Sequence, residues 1–214
     1  MNCDCYFCDG LFQLNKEIGL ASDDSIVYQD DNVFITPDIA PVVEGHFLIV
    51  TKVHWNSFAN VDDDTYISLE RAKEYLRRSV FKGEDVLFFE HGAVRKNTAG
   101  ACIDHAHMHI IPIPSDIYID IDKFICMFVT SEKIEANKSS IQNCAKDEQP
   151  YVFYEIDRGR SWYYPVEAIP HQFFRMMVRN RFSCMHYRWG EQYNTDKSKE
   201  LFNKTLMLGK RKIE

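Results

Sequence analysis

The chain has 214 residues, enough for one domain with a substantial extension or for two small domains. Its content of 45% hydrophobic and 14% aromatic residues excludes a disordered chain. The net charge of −7 argues against indiscriminate binding to long nucleic acids, which needs a broad basic surface. A polar N-terminus and the lack of a long apolar run predict neither a secretory signal nor a membrane span, and therefore a cytoplasmic protein. The seven unevenly spaced cysteines favour reduced thiols or a metal site over disulfides.

The first half of the chain reads as strands interrupted by turns. Apolar patterning predicts strands around Ser25–Tyr28, Asn32–Thr36 and His46–Thr51, with a turn-like segment at Pro37–Gly45. A helix should follow, because Asp62 is a candidate N-cap and apolar residues then recur at spacings of three and four.

Next come a strand and a loop that lead to the histidine-rich segment. Gly83 ends the predicted helix, Val86–Glu90 reads as a buried strand, and His91–Gly100 reads as a loop. Glu90 and His91 either face a pocket or form an ordinary buried strand end.

Three histidines alternate along one predicted strand, Ile103–Ile113. Because strand side chains alternate between faces, His105, His107 and His109 share one face. The other face carries apolar residues that we expect to enter a core: Ala106, Met108 and Ile110. An imidazole nitrogen can attack phosphorus at neutral pH, and neighbouring imidazoles can fix its tautomer or donate a proton.

This pattern resembles a known family. His-Ala-His-Met-His-Ile-Ile, at residues 105–111, resembles the His-φ-His-φ-His-φ-φ signature of the histidine-triad superfamily of nucleotide hydrolases and transferases. Gly45–His54 resembles the upstream strand of that family, with a histidine on each side of an apolar run. The resemblance spans roughly residues 3–114 and implies an α+β fold with an antiparallel sheet and flanking helices.

The resemblance also implies roles for individual residues. His107 would be the nucleophile that forms a nucleotidyl-histidine intermediate, His109 would bind the phosphate or leaving group, and His46 would support the same site. Asp38 would hold the ribose hydroxyls, although it is equally well read as a turn residue after Pro37. No catalytic cofactor is implied.

One position departs from the family pattern. Many members carry a polar pair just before the triad, where this chain has Ala101-Cys102. Asn97, Thr98 and the backbone amides near Gly100 are candidates to replace those phosphate contacts.

The N-terminal pair Cys5-x-x-Cys8 is, by itself, ambiguous between metal binding, redox chemistry and no role. Similar pairs in bacterial histidine-triad proteins and in galactose-1-phosphate uridylyltransferases hold a structural zinc with two histidines. Here the resemblance implies Cys5, Cys8, His54 and His105 as zinc ligands, with Cys3 as a competitor of Cys5.

The remainder reads as an extension. Ser131–Gln149 is predicted as a polar loop, Tyr151–Ile156 and Trp162–Val166 as a β-hairpin, and Gln172–Phe182 as a helix. The charged composition of the last twenty or so residues favours fraying. The aromatic content of the hairpin predicts that it packs on the histidine-triad domain. The expected division is a catalytic domain at 1–130, the loop at 131–149 and the extension at 150–214.

Four segments of the chain loosely resemble the C-terminal region of CwfJ-like proteins, which are associated with RNA processing: Phe88–Glu90, Tyr151–Glu155, Pro170–Arg175 and Trp189. On the predicted helix of the extension, Arg175 and Arg179 either reach the pocket mouth or only keep a surface helix soluble.

We therefore expect a nucleotide hydrolase or nucleotidyl transferase that cleaves a phosphoanhydride or phosphoramidate and acts on a small nucleotide, with homodimer formation open. The alternatives are an enzyme that processes nucleic-acid ends on the same fold, and a non-catalytic nucleotide-binding or scaffold module.

Overall fold

An antiparallel sheet of eight strands organises the computed structural model, which describes residues 5–8, 25–114, 120–156, 159–182 and 188–211. The strands are β1 (Tyr28–Gln29), β2 (Val33–Pro37), β3 (Phe47–Thr51), β4 (Asp85–Gly92), β5 (His107–Ile113), β6 (Ile134–Glu135), β7 (Tyr151–Ile156) and β8 (Arg160–Pro165). Their order across the sheet is β1-β2-β3-β5-β4-β7-β8-β6. The helices are α1 (Asp63–Tyr75), α2 (Ile121–Ile125), α3 (Lys138–Lys146), α4 (Phe173–Phe182), α5 (Trp189–Gln192) and α6 (Asp196–Lys210). The predicted α+β fold is confirmed.

The histidine strand β5 lies between β3 and β4. His107 is opposite Val50 of β3, and His109 is opposite Leu48 of β3 and Phe89 of β4. The strand begins at His107, four residues later than predicted, because the chain before it is held by loop contacts. The Ala106 N–H, for example, donates to the carbonyl of Trp55.

The C-terminal hairpin joins this sheet through main-chain pairing. Strand β7 pairs antiparallel with β4, so that Glu90 is opposite Phe153, and β8 then pairs with β7. The expectation that the hairpin packs on the histidine-triad core is confirmed. The hairpin is also joined to that core by main-chain hydrogen bonds, because one continuous sheet crosses the predicted boundary at residue 150.

Each face of the sheet has its own apolar core. On the back face, Ala106, Met108 and Ile110 pack with α1, as the alternation predicted. On the front face, Ile111 and Ile113 of the same strand pack with α2 and α4. The two remaining front-face positions of β5 are His107 and His109, which the extension therefore partly covers.

Helix α1 begins as the sequence predicted. The Asp62 carboxylate accepts a hydrogen bond from the Thr65 N–H, which satisfies an amide of the first turn. The helix continues as a π-helical turn, Leu76–Val80, and the chain reverses at Gly83, whose φ of 99° favours glycine.

Two predictions about the extension were wrong. Residues 131–149 are not a loop throughout, because they contain β6 and α3. Asn137 caps α3 in a capping box with Ser140, and Ile141 and Cys144 are buried.

Within the described residues, which end at Arg211, the final charged segment does not fray, because most of it forms α6. Thr195 caps this helix, and Leu201, Phe202 and Thr205 are buried. Thr205 Oγ1 accepts a hydrogen bond from the Gly45 N–H at 2.8 Å, which ties α6 to the turn before β3. None of the described helices is long and apolar enough to cross a bilayer.

Candidate active site and metal centre

A pocket opens on the front face of the sheet over β5. His107 and His109 contribute to its floor, together with Asp38. Its walls come from the segment Gly100–Ile103, from Tyr6 and Phe7 near the N-terminus, and from Gln172 and Arg175 of the extension. The extension therefore forms part of the pocket.

His107 is held in one tautomer. Its Nδ1 lies 2.6 Å from the backbone oxygen of His105, and a carbonyl oxygen only accepts hydrogen bonds, so Nδ1 carries the proton. Nε2 therefore carries a lone pair that can act as a nucleophile. Burial lowers the pKa of His107 below 6.5, although the bond to the His105 carbonyl opposes this, so the ring is neutral at pH 7.

His46 and His109 form a directed hydrogen-bond chain. The Val42 N–H donates to Nδ1 of His46 at 3.3 Å, so the proton of His46 is on Nε2. That Nε2 lies 3.0 Å from Nδ1 of His109, which must therefore accept. It follows that His109 carries its proton on Nε2, the nitrogen that it can offer to a ligand. Burial lowers the pKa of His46 to about 4 and that of His109 well below 6.5, so both rings are neutral.

Asp38 lies beside these two histidines. Its Oδ2 is 3.5 Å from His46 Nε2 and 3.6 Å from His109 Nδ1. The Arg175 guanidinium donates from Nη1 to the same oxygen at 3.0 Å. Burial alone would raise the pKa of Asp38, but Arg175, His46 and the Ala40 amide hold it below 3.8, so this carboxyl is ionised.

The donor atoms of Asp38, His46 and His109 lie within 4.8 Å of one another, close enough for a metal ion. Two features oppose metal binding. The Arg175 guanidinium would face the ion, and the Val42 N–H keeps the proton of His46 on the nitrogen that would have to ligate. The arrangement favours a hydrogen-bond chain.

Of the remaining residues that the sequence suggested for the pocket, some line it and others do not. His91 lines the pocket, and Glu90, its neighbour on β4, accepts hydrogen bonds from groups on the back face. Asn97 and Thr98 do not line the pocket. The Asn97 N–H bonds to Asp104, and the Thr98 hydroxyl bonds to a carbonyl of its own loop. Their phosphate-binding role stays a prediction without support from this geometry.

The four expected zinc ligands come together. Cys5 Sγ lies 3.3 Å from His105 Nδ1, and Cys8 Sγ lies 3.3 Å from His54 Nδ1 and 3.6 Å from His105 Nδ1. Tetrahedral zinc with bonds of about 2.3 Å to sulfur and 2.0–2.1 Å to nitrogen places such atoms about 3.5 Å apart, so the donor set fits. Cys3 lies outside the described residues.

The orientation of His105 also suits a metal ligand. Its Nε2 lies 2.8 Å from the carbonyl oxygen of Thr51 and so carries the proton. Nδ1 therefore directs a lone pair toward the cysteines, as ligand histidines do when their other nitrogen donates to a carbonyl.

The cysteine turn also contacts His107. The Phe7 ring, between the two cysteines, lies 5.5 Å from the His105 ring and 5.4 Å from the His107 ring, measured between centroids. On the opposite side, Phe89 stacks on His109 at 4.7 Å with an interplanar angle of 8°. Sequence reasoning missed both aromatic contacts. The alternation of β4 would have placed Phe89 on the His91 face, whereas Phe7 carries no pattern of its own.

The region that carries the histidine strand is similar to known proteins. The sequence model described as "HIT domain" matches residues 20–115. An uncharacterised HIT-like protein of Methanocaldococcus jannaschii is 32% identical over 112 residues, which are 50% of this chain and 78% of that protein. "Protein hit" of Bacillus subtilis is 31% identical over 121 residues, which are 52% of this chain and 74% of that protein. The chain belongs to the HIT family.

Among solved structures, a hypothetical histidine triad nucleotide-binding protein of Sulfolobus tokodaii aligns with a TM-score of 0.39 at 23% identity. The alignment covers 67% of this chain and 87% of that one. The family match ends at residue 115, and Arg175 therefore reaches the pocket from outside the matched region.

Proposed function

We propose that this protein is a nucleotide hydrolase or nucleotidyl transferase that acts through a covalent nucleotidyl-histidine intermediate on His107. One observation carries the proposal. The 2.6 Å contact from Nδ1 of His107 to the His105 carbonyl leaves an unprotonated Nε2 on a neutral ring that lines the pocket.

In the first displacement, Nε2 of His107 attacks the phosphorus that bears the nucleoside. A P–N bond forms, and the bond from phosphorus to the leaving group breaks. The positive charge that the ring acquires is stabilised by the His105 carbonyl, which accepts from Nδ1–H. The Nε2–H of His109 donates to the departing atom or to a phosphoryl oxygen, and His46 fixes its direction.

In the second displacement, water or another acceptor attacks the same phosphorus. The P–N bond breaks, Nε2 regains its lone pair, and a nucleotide is released. The acceptor gives its proton to Nε2 of His109, which lost its own to the departing group in the first displacement, and the site returns to its starting state. The Gly100–Ile103 segment lines the pocket, and its backbone amides would bind the phosphoryl oxygens, except for the Ala101 amide, which donates to the Thr98 carbonyl.

A structural zinc at Cys5, Cys8, His54 and His105 belongs to the same proposal. When bound, it would cross-link the N-terminal turn to the residue two positions before the nucleophile. The metal would hold Phe7 against His107 and takes no part in the displacements.

A turnover panel tests the proposal. We would incubate the zinc-loaded full chain with dinucleoside polyphosphates, nucleoside phosphoramidates and adenylated nucleic-acid ends, and quantify the products. We expect turnover of at least one class, and loss of several orders of magnitude in His107→Asn. His171→Asn is the control, since this histidine is exposed and does not line the pocket. Near-normal turnover by His107→Asn, or no turnover of any class, would contradict the proposal.

A further inference from the structure

A histidine outside the triad lines the pocket on the β4 side. His91 is 9% exposed and follows Phe89 on the same face of β4. The antiparallel register of β4 and β5 places Phe89 opposite His109. Continued by two positions, that register brings His91 beside His107. The two displacements described above give His91 no role.

The tautomer of His91 is fixed by a backbone contact. Its Nδ1 lies 2.8 Å from the carbonyl oxygen of Ala99, which only accepts hydrogen bonds, so Nδ1 carries the proton. Burial lowers the pKa of His91 to about 4, and the nearby His107 adds to this effect, so the ring is neutral at pH 7. Nε2 is therefore an unprotonated acceptor. It has no hydrogen-bond partner among the residues that the structure describes.

The extension holds this ring in place. The Phe174 ring of α4 meets the His91 ring edge to face, with the centroids 5.4 Å apart, and also packs on Phe89 at 4.5 Å. The His91 side chain is thus held by a carbonyl oxygen and by an aromatic ring. The direction of its Nε2 lone pair is set before a ligand enters the pocket.

An unprotonated nitrogen beside His107 restricts what can lie next to it. A phosphoryl oxygen is anionic and only accepts hydrogen bonds, so the Nε2 lone pair of His91 would repel it. The partner of Nε2 must instead present an O–H or N–H group. The acceptor that attacks in the second displacement presents such a group. One proton of that acceptor passes to His109, and a second proton is needed to satisfy His91. Water has two protons, whereas an alcohol has one.

We propose that Nε2 of His91 binds the water that attacks in the second displacement, and that the enzyme is accordingly a hydrolase that discriminates against alcohol acceptors. This inference rests on the proposed function and selects between its two activities. The water oxygen bonds to phosphorus as the P–N bond to His107 breaks. One water proton passes to Nε2 of His109. The other stays on the oxygen, is donated to His91 in a hydrogen bond, and leaves as the P–OH proton of the nucleotide.

The partition of products between water and an alcohol tests the inference. We would incubate the zinc-loaded full chain with the p-nitroanilide of AMP in aqueous methanol, and quantify AMP and its methyl ester. His91→Asn keeps an N–H for the Ala99 carbonyl but is too short to present an acceptor at the Nε2 position. We expect it to slow the second displacement about tenfold, because the attacking water lacks one hydrogen bond. The ratio of methyl ester to AMP should rise by a similar factor. His91→Gln, whose amide oxygen reaches the Nε2 position, should recover most of the hydrolysis.

Kinetics of the separate steps distinguish this role from structural damage. In His91→Asn, the first turnover should release p-nitroaniline at a rate within about threefold of the wild type, because only the second displacement needs His91. The nucleotidyl group on His107 should then accumulate. If His91→Asn does not fold, His91→Phe, which fills the volume of the ring and has no acceptor, should show the same trend. An unchanged product ratio in the folded variant, or equal slowing of both displacements, would overturn the inference. A wild type that forms the methyl ester as readily as AMP, mole for mole, would also overturn it.

The two proposals fail in different ways. If the wild type forms nucleotidyl-His107 and the His91 variant partitions its products as the wild type does, only the inference is wrong. If release of p-nitroaniline does not depend on His107, the proposed function is wrong and the inference fails with it.

Discussion

Replacing Glu90 with glutamine should make the protein more stable at alkaline pH. Glu90 lies on β4, on the face away from the pocket, and is 2% exposed. Its carboxylate accepts hydrogen bonds from the Phe58 N–H and the Tyr151 hydroxyl, both at 2.7 Å. These two bonds oppose the effect of burial only in part, and burial raises the pKa of Glu90 from 4.5 to about 7. Glutamine has the same shape and carries no charge.

The sign and size follow from proton linkage. Between pH 4.5 and about 7 the folded protein binds this proton more tightly than the unfolded chain, so Glu90 lowers the free energy of unfolding as pH rises through that range. The penalty is about 1 kcal/mol at pH 5 and about 3 kcal/mol at pH 8, at about 1.4 kcal/mol per pH unit. Glu90→Gln removes it.

Urea denaturation at pH 5 and pH 8, followed by circular dichroism, measures this difference. We expect Glu90→Gln to be more stable than the wild type by about 1 kcal/mol at pH 5 and by about 3 kcal/mol at pH 8. Glu155→Gln is the matched control on β7. Glu155 is also buried, but it pairs with Lys73 and Arg77, so its loss should destabilise the protein at both pH values. A Glu90→Gln variant no more stable than the wild type at pH 8 would refute this reasoning.

Three further outcomes are expected. Elemental analysis should find one zinc per chain, and Cys8→Ala should lose the zinc and lower the Tm by several degrees. Cys126→Ala, at an exposed cysteine, is the control and should keep both the zinc and the Tm. A metal-free protein whose Tm does not change when zinc is added would contradict this prediction. The acid limb of kcat/KM should lie below pH 6.5, because burial lowers the pKa of His107 and only the neutral ring attacks; a limb at or above pH 6.5 would contradict the assignment. Gly209→Ala should lower the free energy of unfolding by about 1–3 kcal/mol, because the added Cβ would lie 2.7 Å from Cγ1 of Val27, just before β1. Gly190→Ala is the control and should leave stability nearly unchanged, because no atom lies within 4 Å of its Cβ position. Equal thermal stabilities of the two variants would show that α6 does not pack against Val27.

The sequence predicted those parts of the site that depend on local pattern. Alternation along one strand placed His107 and His109 on a common face, and the N-cap at Asp62 located the start of α1. The zinc ligands, of which Cys5 and His105 are 100 residues apart, were predicted only through resemblance to other proteins, since no local periodicity links them.

The rest depends on contacts between distant segments. The ion pair of Arg175 with Asp38 joins residues 137 positions apart, and it exists because β7 pairs with β4 and brings the extension over the pocket. Helices α3 and α6 were missed for a different reason. Their sequences are rich in polar residues, and only a few well-placed side chains, such as Ile141 and Phe202, bury them.

In the proposed mechanism, His107 becomes covalently attached to the nucleotide. Rapid quenching of the protein during turnover, followed by peptide mass spectrometry under alkaline conditions that preserve the P–N bond, tests this attachment directly. We expect one nucleoside monophosphate group on the peptide that contains His107, formed and lost at rates compatible with turnover. A nucleotidyl group on another residue, or steady turnover during which His107 stays unmodified, would contradict it.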